Sequence, residues 1–187
     1  MSEIFGRLGG PRDAEDEAES ETAGPMPVGS TAGRWLRRRS AGGIAALTTV
    51  VDGYYRASTV TAVMVASLDP FQVLISLERD SQMEAWIRLS GVFAVSLMTY
   101  EQQFLADQFA GLAPLAASRF AGIDHHVELT GAPVLDRSIG WADCRIHAEY
   151  ATGDHTCFLG QVVAAGVGEG HAEQPLIYYL SRYSRLR

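Results

Sequence analysis

The feature that most constrains this chain is a succession of short β-branched apolar runs separated by turn residues, without regular alternation of strand and helix. IAALTTVV (44–51) ends at Asp52-Gly53, a pair suited to the two left-handed positions of a tight hairpin. The chain returns as β-rich sequence over 54–66, is punctuated at Asp69-Pro70, and resumes as FQVLISL (71–77). Residues 82–89 carry the apolar spacing of a short helix, which Gly91 ends before another strand-like run over 92–97. The spacing then predicts a helix over 99–109, with Phe104, Leu105, Gln108 and Phe109 on one side. Further strands are predicted over 142–150, 157–165 and 175–183. Six or seven strands with short helices between them predict a mainly β fold, a barrel rather than a doubly wound sheet.

Composition narrows the class. At 187 residues and 47% hydrophobic content the chain can bury the core of one domain. Residues 1–30 read as a disordered acidic tail: Asp13, Glu15, Asp16, Glu17, Glu19 and Glu21 crowd a stretch rich in glycine and proline, with little apolar area to offset ordering. The folded domain is expected over 31–187, opening with a short helix capped near Ser30-Thr31 and running through Trp35, Leu36 and Arg39. A net charge of −7 argues against a nucleic-acid partner. No apolar run is long enough to span a membrane, and the N-terminus lacks the layout of a secretory signal, so a cytoplasmic location is expected. Cys144 and Cys157 fit neither a disulfide framework nor a metal spacing, and read as thiols in a reducing compartment.

Several chemistries have no motif here. There is no G-x-S-x-G elbow and no Walker loop. Gly166-Val167-Gly168-Glu169-Gly170 is not followed by a helix and reads as a flexible hairpin tip. His125 and His126 are adjacent; on a strand they point to opposite faces, which disfavours a shared metal. Without a nucleophile–base pair or paired carboxylates, any enzymatic chemistry is expected to reside in a cofactor.

Residues 37–183 carry a series of short motifs in a fixed order. They include GGIAALTT (42–49) before the Asp-Gly turn, ASTVTA (57–62), VASLDP (65–70) and SGVFAV (90–95). Gln103 precedes DQFA (107–110), followed by RFAG (119–122), GAPVL (131–135) and Cys144. GDHT (153–156) leads into FLGQV (158–162), and PLIYY (175–179) is followed by Tyr183. In this order they resemble the short-chain flavin reductase family, the reductase components of two-component flavin monooxygenases. Ala57, Phe71, Arg79 and Leu180 depart from the family's usual residues.

The resemblance implies a split β-barrel that forms a homodimer, with a flavin in a groove at the interface. It implies FAD or FMN, with FAD favoured, and NADH ahead of NADPH. Hydride would pass from C4 of the nicotinamide to N5 of the flavin, and reduced flavin would go to a partner monooxygenase. By position, Thr59, Val60, Thr61 and Ala62 would line the flavin ring, and Ser67 and Leu68 the ring or ribityl chain. Arg79, Asp80 and Ser81 would hold phosphate at the start of a helix, and Phe109 and Ala110 would border the rest of an FAD. His155 would face the nicotinamide, with Tyr178 or Tyr183 beside it, while Asp154 would shape the turn. No catalytic acid, base or metal is implied. Taken alone, the threonines, the phosphate loop and the histidine also have ordinary structural readings, and a flavin-binding electron carrier, an oxidase or a purely structural barrel would share the fold.

Overall fold

The structure, a computed structural model, describes residues 24, 25, 27–112, 120 and 122–186. The acidic stretch expected over 13–21 lies outside them. The first helix, α1, spans Ser30–Arg39 and is followed by the short strand β1, Gly42–Gly43. Two hairpins come next: β2 (Ala45–Val51) with β3 (Tyr54–Val60), and β4 (Val63–Leu68) with β5 (Phe71–Glu78). Asp52 and Gly53 hold φ of 52° and 75°, the paired left-handed geometry their sequence favours. Then come α2 (Gln82–Ser90), β6 (Val92–Leu97), a 3-10 turn (Tyr100–Gln102) and α3 (Gln103–Phe109). The short pair β7 (His125–Val127) and β8 (Pro133–Leu135) precedes two long strands, β9 (Gly140–Thr152) and β10 (His155–Val167). β11 (Ile177–Tyr179) and β12 (Arg182–Ser184) complete the order.

Seven strands form one antiparallel sheet in the order β3-β2-β6-β9-β10-β5-β4. Its two outer strands, β3 and β4, are consecutive in the chain and joined only by Thr61 and Ala62. That link lets Val60 and Val63 stand no more than about 11 Å apart, so the sheet must curl until its edges nearly meet. No ladder joins the two edges, and the result is a barrel split along one seam. The expected mainly β, split-barrel fold is therefore the one observed.

Leu47, Val60, Ile75, Leu77, Phe93, Val95, Cys144 and Phe158 fill the interior, with Met83 and Ile87 of α2 packed into the same cluster. A second cluster lies outside the sheet, where Ala46, Ala57, Ala106, Phe109, Phe120 and Leu176 meet under α3. β2 serves both clusters, Ala45 and Leu47 on one side and Ala46 on the other, which explains why three successive apolar residues are buried there.

Three local expectations change. The run over 54–66 is not one strand but two, bent at Thr61–Ala62. Phe104 does not share the buried side of α3 and stands exposed, while Ala106 is buried with Gln108 and Phe109. The glycine-rich stretch is not a loose hairpin tip. β10 continues to Val167, and a Cβ at Gly168 would overlap the Ser138 carbonyl, so this backbone packs where a side chain has no room.

Candidate functional site at the barrel seam

The seam is built from backbone. At the bend, the Ala62 carbonyl accepts from the Ser76 amide at 3.1 Å, but the amides of Thr61 and Ala62 find no acceptor among the described residues. Thr61 is half-buried and Ala62 exposed. β1 stands alongside, with Gly42 closest to Thr61, and Gly42 pairs with Tyr178 of β11. The small sheet β1-β11-β12 thus brings Tyr178 near the seam, and Tyr183 packs on Tyr178 with ring centroids 5.8 Å apart. The Tyr183 hydroxyl donates to Asp107 Oδ1 at 2.6 Å, and burial, followed by that bond, pushes its phenol up.

From the seam, β5 leads to a second cluster of polar groups. Ser76 and Arg79 are three residues apart, about 10 Å at the rise of a strand. There the loop after β5 meets the turn between β9 and β10. His155 lies opposite Glu78 in the ladder, and the Arg79 amide donates to the Asp154 carbonyl at 2.9 Å. Asp80 adopts φ 64°, and the Ser81 hydroxyl caps α2 by accepting from the Glu84 amide at 3.3 Å. Beneath the loop Glu84 is only 3% exposed, and its Oε1 accepts from Thr156 Oγ1 at 3.0 Å and Arg88 Nη2 at 2.7 Å. The Thr156 bond ties α2 to β10 at the residue after His155, and the Arg88 bond lies within α2. The Glu84 bond, followed by one to Glu149, raises the Arg88 guanidinium further above its usual range.

His155 is half-buried, and its Nδ1–H donates to Asp154 Oδ1 at 2.8 Å. This bond is the main reason the Asp154 carboxyl lies below the ordinary carboxylate range, and the Arg37 charge from α1 adds to the effect. The ring's Nε2 has no partner among the described residues.

The residues expected from sequence separate into three groups. Thr61, Ala62, Arg79, Asp80, Ser81, His155 and Tyr178 lie along one path from the seam to the β9–β10 turn. Thr59, Val60 and Phe109 are buried; the Thr59 hydroxyl donates to the Ala106 carbonyl at 2.6 Å and so fastens α3 to β3. Their side chains face packed protein. Ala110 follows Phe109 at the end of α3 and is half-buried. Ser67 and Leu68 pair with Gln72 and Phe71, at the opposite end of β5 from Arg79, so one chain does not bring them to the phosphate loop. Sequence reasoning missed Glu84 and gave Asp154 only a turn role. The spacing of Ser81 to Glu84 was the available signal for the first, and the adjacency of Asp154 to His155 for the second.

Elsewhere, His125 and His126 do point apart. His125 packs against Tyr55 and Phe120, and His126 against Trp141. Among the described residues no cluster of histidine, cysteine or carboxylate has metal-binding geometry. Cys144 is pushed up to about 12 by burial and the neighbouring Asp143, so it is a packed, unreactive thiol. No described helix is long and apolar enough to cross a membrane.

The model of the flavin reductase like domain matches residues 37–187, the segment that builds the seam and both polar loops. The chain belongs to the flavin reductase family. Among relatives of this oxidoreductase family is the reductase subunit HsaB of a flavin-dependent monooxygenase from Rhodococcus jostii, 31% identical over 76% of this chain and 70% of its own length. The NADH-dependent flavin reductase StyB of Pseudomonas fluorescens is 30% identical over 84% of this chain and 91% of its own. Among solved structures, the NADH:FAD oxidoreductase of Streptomyces globisporus C-1027 superposes with a TM-score of 0.78 at 28% identity, covering 88% of this chain and 99% of that one. The expected family membership is thus established, and its members include reductases named for FMN as well as for FAD.

Proposed function

We propose that this chain oxidises NADH to reduce FAD or FMN held along the seam, and releases the reduced flavin to a partner monooxygenase in the cytoplasm. The observation that carries this reading is the bend at Thr61–Ala62, where two amides have no acceptor among the described residues and Ala62 is exposed. A flavin ring presents acceptors on its N5–O4 edge, and a bent strand with small side chains lets that edge approach the backbone. The ring-to-phosphate span of a ribityl chain matches the path along β5 to Arg79 and Ser81, where a guanidinium and the N-terminus of α2 suit an anion. The residues present therefore fit a flavin.

Bound flavin supplies the hydride acceptor at N5, so the chain needs no nucleophile of its own. Its residues act by holding two rings in contact, which turns an encounter in solution into a positioned transfer. Thr61 and Ala62 fix one ring through backbone donors. His155, across the β5–β10 ladder, presents a free ring nitrogen to the nicotinamide. Tyr178 and Tyr183 border that space, with Tyr183 held by Asp107. An electron carrier would need no nucleotide contact, and NADH use by the relatives favours turnover.

A homodimer is part of this proposal. β4 is an unpaired sheet edge that exposes Met64, Val65 and Leu68, and a second copy covering it would complete the groove. The deciding experiment is steady-state NADH oxidation with added FAD or FMN, beside flavin titration and light scattering. Turnover with either flavin and twice the mass of one chain are expected. Flavin binding without NADH oxidation overturns the reductase reading, and a stable monomer at micromolar concentration overturns the interface groove.

A further inference from the structure

Asp154 stands on a frame that does not need its carboxylate. The residue's side chain is 91% exposed, so it packs against nothing that its removal would hollow out. Its backbone is held independently, by the Arg79 amide on its carbonyl and by the β9–β10 ladder that pairs His155 with Thr152. The neighbouring strand position, Thr156, is anchored to the buried Glu84. Within this turn, among the described residues, the carboxylate of Asp154 meets Nδ1 of His155 at 2.8 Å and otherwise only its own backbone amide. Arg37 of α1, Arg79 and Glu78 are the other charged groups around the pair.

A carboxylate can only accept, so the Nδ1 nitrogen must carry the proton in that bond. In a neutral imidazole this leaves Nε2 as an acceptor, with the ring's rotation set by the same contact. We infer that Asp154 is a positioning residue for pyridine-nucleotide use: it locks His155 in the Nδ1–H tautomer, so that Nε2 accepts a hydrogen bond from the carboxamide NH2 of the nicotinamide. The inference rests on the reading that His155 meets the nicotinamide, and it adds the atom, the tautomer and the group that imposes them. Without Asp154 the proton redistributes towards Nε2, the ring turns freely, and a donor faces a donor. The contact orients the dihydropyridine ring for transfer and takes no part in the hydride step itself.

The test uses the full chain with D154A, H155A and the double variant. The ring nitrogens of His155 are read by NMR in protein labelled with nitrogen-15. In the parent, Nδ1 carries the proton and Nε2 is bare; in D154A the protonated share of Nε2 rises. D154A is expected to raise the NADH KM about fivefold, the loss of one modest hydrogen bond, while flavin Kd stays unchanged and the melting temperature falls by no more than the small share that an exposed carboxylate contributes. Adding D154A to H155A brings no further loss, whereas a role in shaping the turn would add to it in either background. Reduced 3-acetylpyridine adenine dinucleotide lacks the carboxamide NH2, and with it D154A and the parent are expected to match. If H155A raises the NADH KM but D154A does not, or if the tautomer is unchanged in D154A, the positioning role is wrong. If H155A itself leaves NADH kinetics unaltered, the reading of His155 fails instead.

Discussion

Among the described residues two aspartate–histidine contacts have nearly the same length, and only one of them stands at the candidate site. His126 Nδ1 meets Asp136 Oδ1 at 2.6 Å, and His155 Nδ1 meets Asp154 Oδ1 at 2.8 Å. The difference lies in the second ring nitrogen. Nε2 of His126 is 3.6 Å from Glu128, and the ring packs edge-on against Trp141 with centroids 5.6 Å apart. That imidazole has a carboxylate near each ring nitrogen, the second too far for a hydrogen bond but close enough for charge attraction. His155 has the same kind of first partner, yet its Nε2 has none among the described residues. A pair of residue types therefore does not define a site; an unspent valence at an open position does.

The largest effect that can break this comparison is on nucleotide use. H155A is expected to raise the NADH KM about tenfold, for a lost contact of about 1–2 kcal/mol, with flavin Kd by fluorescence quenching unchanged. Equal kinetics in a folded H155A would remove His155 from the site. H126A should do the reverse, leaving the NADH KM at its parent value and costing about 1–2 kcal/mol in urea unfolding for the partly buried bond to Asp136. A rise in KM for H126A would mean that the β7–β8 corner reaches the groove. A smaller effect sharpens the same contrast among the threonines. Thr59→Val keeps the shape and loses the bond to Ala106, so a loss of about 1 kcal/mol with intact flavin affinity is expected. Weaker flavin binding at parental stability would show that the Thr59 side chain serves the ligand.

The smallest effect is a titration. Because the His155 bond, aided by Arg37, lowers the folded-state pKa of Asp154, its carboxylate favours the folded form above the ordinary aspartate range. That contribution is lost as pH falls through the lowered value. Side-chain carbon NMR should place the Asp154 midpoint below that of an ordinary aspartate and return it upwards in H155A. An unchanged midpoint in H155A would assign the shift to Arg37.

Part of this arrangement was legible in the sequence, and part was not. The Asp52-Gly53 hairpin, the helix over α2 and the strand over β6 follow from local rules, because each is bounded by residues whose backbone preferences are strong. The break at Thr61–Ala62 carries no glycine or proline and was read through as strand. Barrel closure bends it, and closure is a property of seven strands together. The turn between β11 and β12 is similar: Leu180 and Ser181 adopt φ of 49° and 59°, values that their side chains do not advertise. Phe104 fits a helical apolar stripe, yet α3 opens from a 3-10 turn that rotates Phe104 outward and leaves Ala106 in the contact with β3.

By itself the sequence determined the class of fold, the family and the segments that carry its motifs, because these depend on local periodicity and on ordered short patterns. Only the tertiary structure decided which side chains of those motifs are free. Thr59 and Phe109 lie within or beside the motifs but are spent on packing α3. Asp154, an ordinary turn residue by sequence, is left exposed with its carboxylate bonded to His155. Each hydrogen-bonding group is satisfied by neighbours that pairing brings from distant sequence, so its availability to a ligand is known only after the sheet has closed.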